Sequence, residues 1–317
     1  MISAEARYRT LVRVLPAWYR DERGDEVVGT LLDLHGERAR AALWNELWAL
    51  LALGMRTRLA AGAAPARAVA LGDLVRQVAL LGLLWGVLRS AGKVGEGVWV
   101  FVAFSDQGYA YRAALVSSLA KGLVPLAAAL VPLVLLVDGW RRPARIAAGA
   151  VLAVGAVLFL AGHRSDLGPG PVLYFAPQWL PLVLVLVAFH VDAPVPPARP
   201  WWWAIGASLV LAPALALGVV FSGALGRVAG VSPLVWLCAI AGVGCLLLRR
   251  RNGPRSARTL ATALCIALVL VQNLVLKNGI APSGVVVVAQ VCCVVAIVVA
   301  LTVVGIRDYR RTVARHD

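Results

Sequence analysis

The sequence predicts an all-α integral membrane protein, a bundle of about eight transmembrane helices preceded by a small N-terminal cytoplasmic helical segment. Three observations predict this fold class. Of the 317 residues, 61% are hydrophobic, with a mean hydropathy of +0.81, whereas soluble domains are about 45–50% apolar. Several apolar runs reach about 20 residues, the length at which a helix crosses a hydrocarbon core of about 30 Å. Basic residues gather beside these runs.

Residues 1–73 are dense in charge, with ten arginines and nine acidic residues. Three helices are expected here: from Ser3 to a stop at Pro16, from about 17 to 33, and from about 37 to 59. The third helix has a broad apolar stripe, which favours contact with the membrane surface. The predicted apolar faces are Tyr8, Leu11, Val12 and Leu15; then Trp18, Val27, Val28, Leu31 and Leu32; then Leu43, Trp44, Leu47, Trp48, Leu51 and Met55.

Eight apolar segments are predicted to cross the membrane. The clearest, from Gly284 to Ile306, has 23 residues and no charge. The first is the weakest, because Arg76 and Arg89 leave only 12 uncharged residues between them and must extend to opposite interfaces. The predicted spans are residues 74–90, 120–138, 145–162, 172–190, 201–221, 231–248, 259–276 and 284–306.

Arginine placement orients these spans. Basic residues concentrate on the cytoplasmic side of membrane proteins, and the tail of residues 307–317 holds four arginines while residues 1–73 hold ten. Both termini are therefore expected in the cytoplasm, which requires an even number of spans. With eight spans, 24 basic residues lie inside and seven outside. The predicted location is a bacterial cytoplasmic (inner) membrane, with residues 91–119 as the main outer loop.

A stretch near the start of the chain, residues 9–33, contains a recognisable sequence pattern. Its pattern is Leu15-Pro16, then Trp18, then Gly24-Asp25-Glu26. This stretch of about 25 residues resembles the helical prefix that precedes the permease subunit of certain bacterial export-type transporters. The resemblance implies a prefix followed by a polytopic region. Export-type permeases usually have about four spans and a large extracytoplasmic domain, whereas the spans predicted here follow one another closely.

Several function classes are disfavoured by the pattern of charges. The net charge of +15 does not indicate nucleic-acid binding, because the arginines lie beside apolar runs. The span interiors from Leu123 to Ile306 contain no charged residue, which argues against a proton-coupled transporter or pump. The five cysteines all lie within predicted spans, without the spacing of a metal site or a disulfide framework.

No motif predicts catalysis. His163 and His190 lie at opposite ends of one predicted span and cannot share a site. Ser165, between His163 and Asp166, is a weak candidate triad of sequence neighbours. We therefore expect no catalytic residue, no metal and no cofactor.

Four amides form the candidate site. Gln178, Gln272, Asn273 and Gln290 are each expected about 6–9 Å below the outer boundary. Their simplest interpretation is hydrogen bonding between helices. The alternative is an outward-facing polar pocket, with Pro177 and Pro181 freeing backbone carbonyls beside the first amide.

Three functions remain open from the sequence. The first is a non-enzymatic polytopic membrane protein that uses residues 1–73 as a docking or regulatory segment for a cytoplasmic ATPase or regulator. The second is a transporter or permease subunit for a neutral or lipophilic substrate. The third is an intramembrane lipid-modifying enzyme, for which Glu96, Asp106 and Arg112 of the outer loop are the available polar groups.

Overall fold

The computed structural model describes residues 4–35, 39–59, 65–104, 109–162, 169–190, 193–222, 237–244, 247, 256–277 and 285–314. Most of the described residues lie in helices, and none of them forms a strand. The all-α prediction is therefore confirmed. The chain divides into two compact units, one of Met1–Asp73 with His316–Asp317 and one of Leu74–Arg315.

The first unit has a small apolar core of its own. Its described helices are α1 (Ala4–Leu11), a 3-10 helix (Val12–Val14), α2 (Ala17–His35) and α3 (Ala39–Arg58). Pro16 lies between the 3-10 helix and α2, as the sequence predicts. The Arg58 guanidinium donates a hydrogen bond of 2.8 Å to the Val14 carbonyl and so connects the end of α3 to the 3-10 helix. The buried core residues are Tyr8, Val12, Leu15, Val28 and Leu50.

Helix α3 enters this core through residues that lie beside its predicted apolar stripe. Leu50 is buried and Leu53 packs against the same cluster, whereas Trp48 is 68% exposed. Gly54 allows a close approach, because a Cβ at this position would lie 3.2 Å from the Val14 carbonyl oxygen. The helix meets the core at this glycine, and the exposed side chain of Trp48 points away from it.

The second unit consists of long apolar helices. Their bounds, with α4 beginning before the unit does, are α4 (Ala66–Phe104), α5 (Tyr109–Val137), α6 (Arg141–Gly162), α7 (Pro169–Ala188), α8 (Ala198–Ser222), α9 (Ser256–Lys277) and α10 (Val285–Val313). Residues 237–244 are also helical.

Five of the described helices are long and apolar enough to cross a membrane. The qualifying segments are Arg67–Val102, Leu119–Val137, Arg141–Ala161, Ala198–Leu217 and Val288–Arg311. Two shorter apolar helical segments, Gln178–Ala188 and Ala257–Gln272, lie in α7 and α9. These lengths and compositions are compatible with a multi-pass membrane protein. The predicted span 231–248 is described only at residues 237–244 and 247, so the count of eight stays a prediction.

The predicted outer loop of residues 91–119 is wrong in its described part. Helix α4 continues to Phe104, and α5 begins at Tyr109. The helix continues because its glycines pack closely: a Cβ on Gly95 would lie 2.8 Å from Pro213 of α8, and one on Gly97 would lie 3.0 Å from Leu119 of α5. Hydropathy underestimates this stretch, since the charges of Lys93 and Glu96 remain exposed while the glycine face is buried.

A tight turn makes α5 and α6 antiparallel neighbours. Gly139 has a φ of +84°, the left-handed conformation that glycine adopts at low cost. The Trp140 amide donates to the Leu135 carbonyl at 2.7 Å, and the Gly139 amide donates to the Leu136 carbonyl at 3.1 Å. This pair of bonds is the Schellman arrangement that closes a helix. The Trp140 carbonyl then accepts from Ala144 and begins α6.

Helices α4 and α7 approach each other closely at Gly82. A Cβ on this residue would collide with the ring of Pro181. The contact fixes the register of α4 against α7, and it lies directly beside the site described next.

Candidate functional site

A cavity of about 710 Å³ lies between helices α4, α5, α6 and α7. Ligand-binding pockets in proteins typically have volumes of about 300–1,000 Å³. Most of its lining is apolar. The lining residues include Gly82, Trp85, Gly86, Arg89 and Ser90 of α4; Val124, Pro125, Ala128, Val131 and Pro132 of α5; Ala147, Ala150, Val154, Gly155, Leu158 and Phe159 of α6; and Gln178, Trp179 and Leu182 of α7.

Small residues create this space. Alanines and glycines occupy the faces of α5 and α6 where larger side chains would fill the gap, and they recur at Ala128, Ala147, Ala150 and Gly155. Pro132 also loosens α5 at this point, because it has no amide hydrogen to donate to the carbonyl of Ala128. Both prolines of α5 line the cavity, on the single helix face that their spacing of seven residues predicts.

The cavity opens through the outer faces of α5 and α6. Val124, Val131, Val154 and Leu158 line it and are 48–67% exposed. Each of them lies in a segment that is long and apolar enough to cross a membrane. Such exposed aliphatic faces are the surfaces that transmembrane helices present to lipid tails. A molecule dissolved in the hydrocarbon would reach the cavity from the side.

The polar atoms of the wall are grouped on α4 and α7. The indole nitrogen of Trp85 and the amide nitrogen of Gln178 are both buried, and neither has a hydrogen-bond acceptor among the described residues. Arg89 and Ser90 follow one turn after Trp85 and also line the cavity. Buried polar groups nearly always have partners in native proteins. Two such donors in one cavity wall make it a candidate place for a hydrogen-bond acceptor.

Packing holds the aromatic groups of this wall in place. Trp85 packs against the apolar cluster of α9 and α10 that contains Val269 and Val294. Trp179 meets Phe159 edge to face, with ring centroids 5.2 Å apart and planes at 81°. Fixed rings give the cavity a defined shape before any ligand enters, which lowers the entropic cost of binding.

Comparison with known proteins gives this chain no relative. Neither a family model, nor a curated protein, nor a solved structure matches it. The resemblance between residues 9–33 and a permease prefix therefore stays a prediction. The function is therefore inferred from the cavity and its lining residues.

The four predicted amides have different positions. Gln178 lines the cavity. Gln272 is buried, with 3% of its surface exposed, and Gln290 is partly buried; neither is among the residues that line the cavity. Both have interaction partners, and their helices, α9 and α10, pack along each other. The side chain of Asn273 lies outside the described residues, and the four-amide pocket stays a prediction.

The other sequence candidates do not form a site in the described part of the chain. His163, Ser165 and Asp166 lie outside the described residues, and His190 is buried just after the end of α7. Within the described ranges, no group of three His, Cys, Asp or Glu residues could hold a metal. Glu96 lies exposed on α4, whereas Asp106 and the side chain of Arg112 fall outside the description.

Sequence reasoning missed two members of the cavity wall, Trp85 and Arg89. Their spacing of four residues places them on one helix face, and this signal was available. It was overlooked because Arg89 was interpreted as the outer end of a short span, and therefore not as part of a binding site. In the structure, Arg89 lies 15 residues before the end of α4 and lines the cavity.

Proposed function

We propose that this protein binds a lipophilic molecule drawn from the membrane, and that it acts as a permease subunit or transporter for that molecule. The observation that carries the proposal is the cavity among helices α4, α5, α6 and α7, which is lined mostly by apolar residues and opens through exposed aliphatic faces. A ligand that partitions into hydrocarbon would concentrate at this opening. The wall offers apolar surface and hydrogen-bond donors, which hold a ligand rather than transform it.

The proposed setting is a bacterial cytoplasmic membrane crossed eight times, with both termini in the cytoplasm. The five apolar helices of the structure are compatible with this arrangement, and the excess of arginine on one side supports its orientation. In this setting residues 1–73 dock a cytoplasmic ATPase or regulator. Their separate core of Tyr8, Val12, Leu15, Val28 and Leu50 supports such a role.

Reporters fused to the two termini test this topology. Green fluorescent protein, which fluoresces in the cytoplasm, is expected to be bright at either end, and alkaline phosphatase, which is active outside, is expected to be inactive at either end. The reason is that eight spans with both ends inside would place 24 of the 31 basic residues on the cytoplasmic side. If the two ends report opposite sides, an odd number of spans follows and the eight-span proposal is wrong.

A neutral aryl diazirine, a lipophilic photoprobe, tests the binding function in the full chain reconstituted in phosphatidylcholine vesicles. Residue-level mass spectrometry would follow labelling as the probe concentration rises. Labelling at Trp85 and Trp179, in the cavity wall, is expected to saturate, because a site of about 710 Å³ admits few molecules. Labelling at Ile146 and Val157, exposed residues outside the lining, is expected to rise in proportion to the probe.

Two results would contradict the binding function. The first is labelling of Trp85 that rises linearly, as at Val157, because the cavity would then be an ordinary part of the lipid-facing surface. The second is the absence of labelling in the cavity wall while the outer residues are labelled, because the cavity would then be closed to lipophilic molecules.

A further inference from the structure

Consecutive helices from α4 to α7 run in opposite directions. Gly86 lies against Ala129 and Gly97 against Leu119, so α5 runs opposite to α4. The turn at Gly139 reverses the chain again into α6. The contacts of α6 with α7 show the same reversal, with Gly149 against Leu186 and Gly155 against Trp179.

The hydrogen-bond donors of the cavity lie close together on α4 and α7. Gly82 lies against Pro181, and α4 and α7 run in opposite directions. Gln178, one turn before Pro181, therefore comes level with the turn of α4 that follows Gly82. That turn carries Trp85, with Arg89 one turn beyond it.

The rest of the cavity wall is apolar. It includes Pro132 of α5, Ala147 of α6 and Leu182 of α7. The α5–α6 turn at Gly139 brings the first two of these elements together. The cavity thus offers hydrocarbon-like surface next to a small group of hydrogen-bond donors.

The polar groups of this part of the wall are mostly donors. Trp85 has an indole N–H, Gln178 has an amide nitrogen, and Arg89 has a guanidinium. A guanidinium binds carboxylate or phosphate through two parallel hydrogen bonds, and such charge-assisted bonds are about twice as strong as neutral ones. No carboxylate lines the cavity among the described residues. The wall therefore complements an anion rather than a cation.

Placing an arginine among apolar helices costs free energy, and residues kept at such a cost usually have a function. Charged side chains within transmembrane segments are rare and mark substrate or ion pathways. Arg89 is partly buried, with its Nη1 atom shielded from solvent. Lys93, one turn later on the same helix, is exposed and does not line the cavity. Of these two cations of α4, only Arg89 can meet a molecule in the cavity.

We infer that the ligand is an amphipathic anion, a hydrocarbon chain that ends in a carboxylate or phosphate group. Its chain lies along the apolar wall, and its head group accepts hydrogen bonds from Arg89, Gln178 and Trp85. This inference rests on the proposed function, because it names the class of ligand that the same cavity takes. Carboxylate and phosphate share the chemistry that the donors recognise.

Photolabelling with a matched pair of probes tests this inference. One probe is a long-chain fatty acid with a diazirine in its chain, and the other is the corresponding alcohol, which differs only in its head group. Both are applied to the full chain in phosphatidylcholine vesicles at alkaline pH, so that the acid is ionised. The acid is expected to label the cavity wall at a concentration at least tenfold lower than the alcohol does.

The variants Arg89→Gln and Lys93→Gln separate a specific contact from a general effect of charge. Each removes one positive charge from α4. Arg89→Gln is expected to abolish the preference for the acid over the alcohol, whereas Lys93→Gln is expected to keep it. If Arg89→Gln does not fold, Arg89→Lys replaces it, and a several-fold loss of preference is expected because the paired hydrogen bonds are lost while the charge remains.

Competitors identify the head group and the need for a chain. Oleate and oleoyl glycerol phosphate are expected to displace the acid probe, and the tighter of the two identifies the preferred head group. Acetate and inorganic phosphate at the same concentrations are expected to leave labelling unchanged. Displacement by the small anions alone would show a site for free anions and overturn the amphipathic assignment.

The proposed function and this inference fail in different ways. If the neutral aryl diazirine does not saturate in the wild-type protein, the binding function itself is wrong. If it saturates, but the acid and the alcohol label equally or Arg89→Gln keeps the preference for the acid, the cavity binds lipophiles and only the anionic head group is overturned.

Discussion

Replacing Ala150 with tryptophan is expected to raise at least tenfold the concentration of neutral diazirine needed to label the cavity wall. Ala150 lines the cavity from α6, and the indole would occupy space that its methyl group leaves open. The residue is exposed, so the larger side chain has room to enter the cavity without displacing a packed helix. A tenfold loss corresponds to about 1.4 kcal/mol of binding free energy. Saturable labelling of Trp85 and Trp179 is the measurement.

Ala153→Trp is the matched control. Ala153 is on the same helix, is likewise exposed and does not line the cavity. It lies within the same apolar segment, Arg141–Ala161, so the two tryptophans change the hydropathy of that segment equally. Saturable labelling is expected to persist in this variant. Equal losses in both variants would attribute the effect to a disturbed α6 and leave the cavity without a role.

The helices of this protein follow from local sequence signals. Pro16 ends the first helical region, and the charge-free run from Gly284 to Ile306 lies almost entirely within α10. These features depend on nearest neighbours along the chain, on proline chemistry and on apolar length. For the same reason Tyr8, Val12 and Leu15, which a helical period places on one face, are buried together.

The cavity could not be predicted in this way, because it depends on which helices are neighbours. Gly82 and Pro181 are almost a hundred positions apart, and only their contact brings Gln178 near the level of Trp85. Hydropathy also ended the first span at Arg89, since a charge inside an apolar segment is normally costly. In the structure α4 continues because Gly95 and Gly97 pack against other helices, while Arg89 lines a cavity.

Replacing Gln178 with leucine is expected to stabilise the protein and to impair its binding. The buried amide nitrogen of Gln178 has no acceptor among the described residues, and an unmade hydrogen bond of this kind costs about 1–3 kcal/mol. Leucine has a similar size and no polar atom, so it removes that cost. The thermal unfolding temperature of the purified chain in detergent is therefore expected to rise. An unchanged or lower temperature would mean that the amide is satisfied in the ligand-free protein.

Gln272→Leu provides the contrast, because it makes the same chemical change in the neighbouring helix α9. Gln272 is buried and has an interaction partner, and hydrogen bonds between membrane helices contribute about 0.6–2 kcal/mol. Its replacement is expected to lower the unfolding temperature. If the unfolding temperature rises in Gln178→Leu and falls in Gln272→Leu, then the Gln272 amide stabilises the fold, whereas the Gln178 amide is available to a ligand.

Binding completes the test of Gln178. Benzophenone, a neutral lipophilic photoprobe with a carbonyl acceptor, is expected to label the Gln178→Leu cavity several-fold more weakly than the wild-type cavity. The neutral aryl diazirine has no comparable acceptor, and its labelling is expected to be unchanged. If the Gln178 amide lowers stability, its function requires that a ligand accept a hydrogen bond from it. Equal effects on the labelling by both probes would therefore mean that Gln178 affects binding only through the shape of the cavity and donates no hydrogen bond to the ligand, even if the variant is more stable.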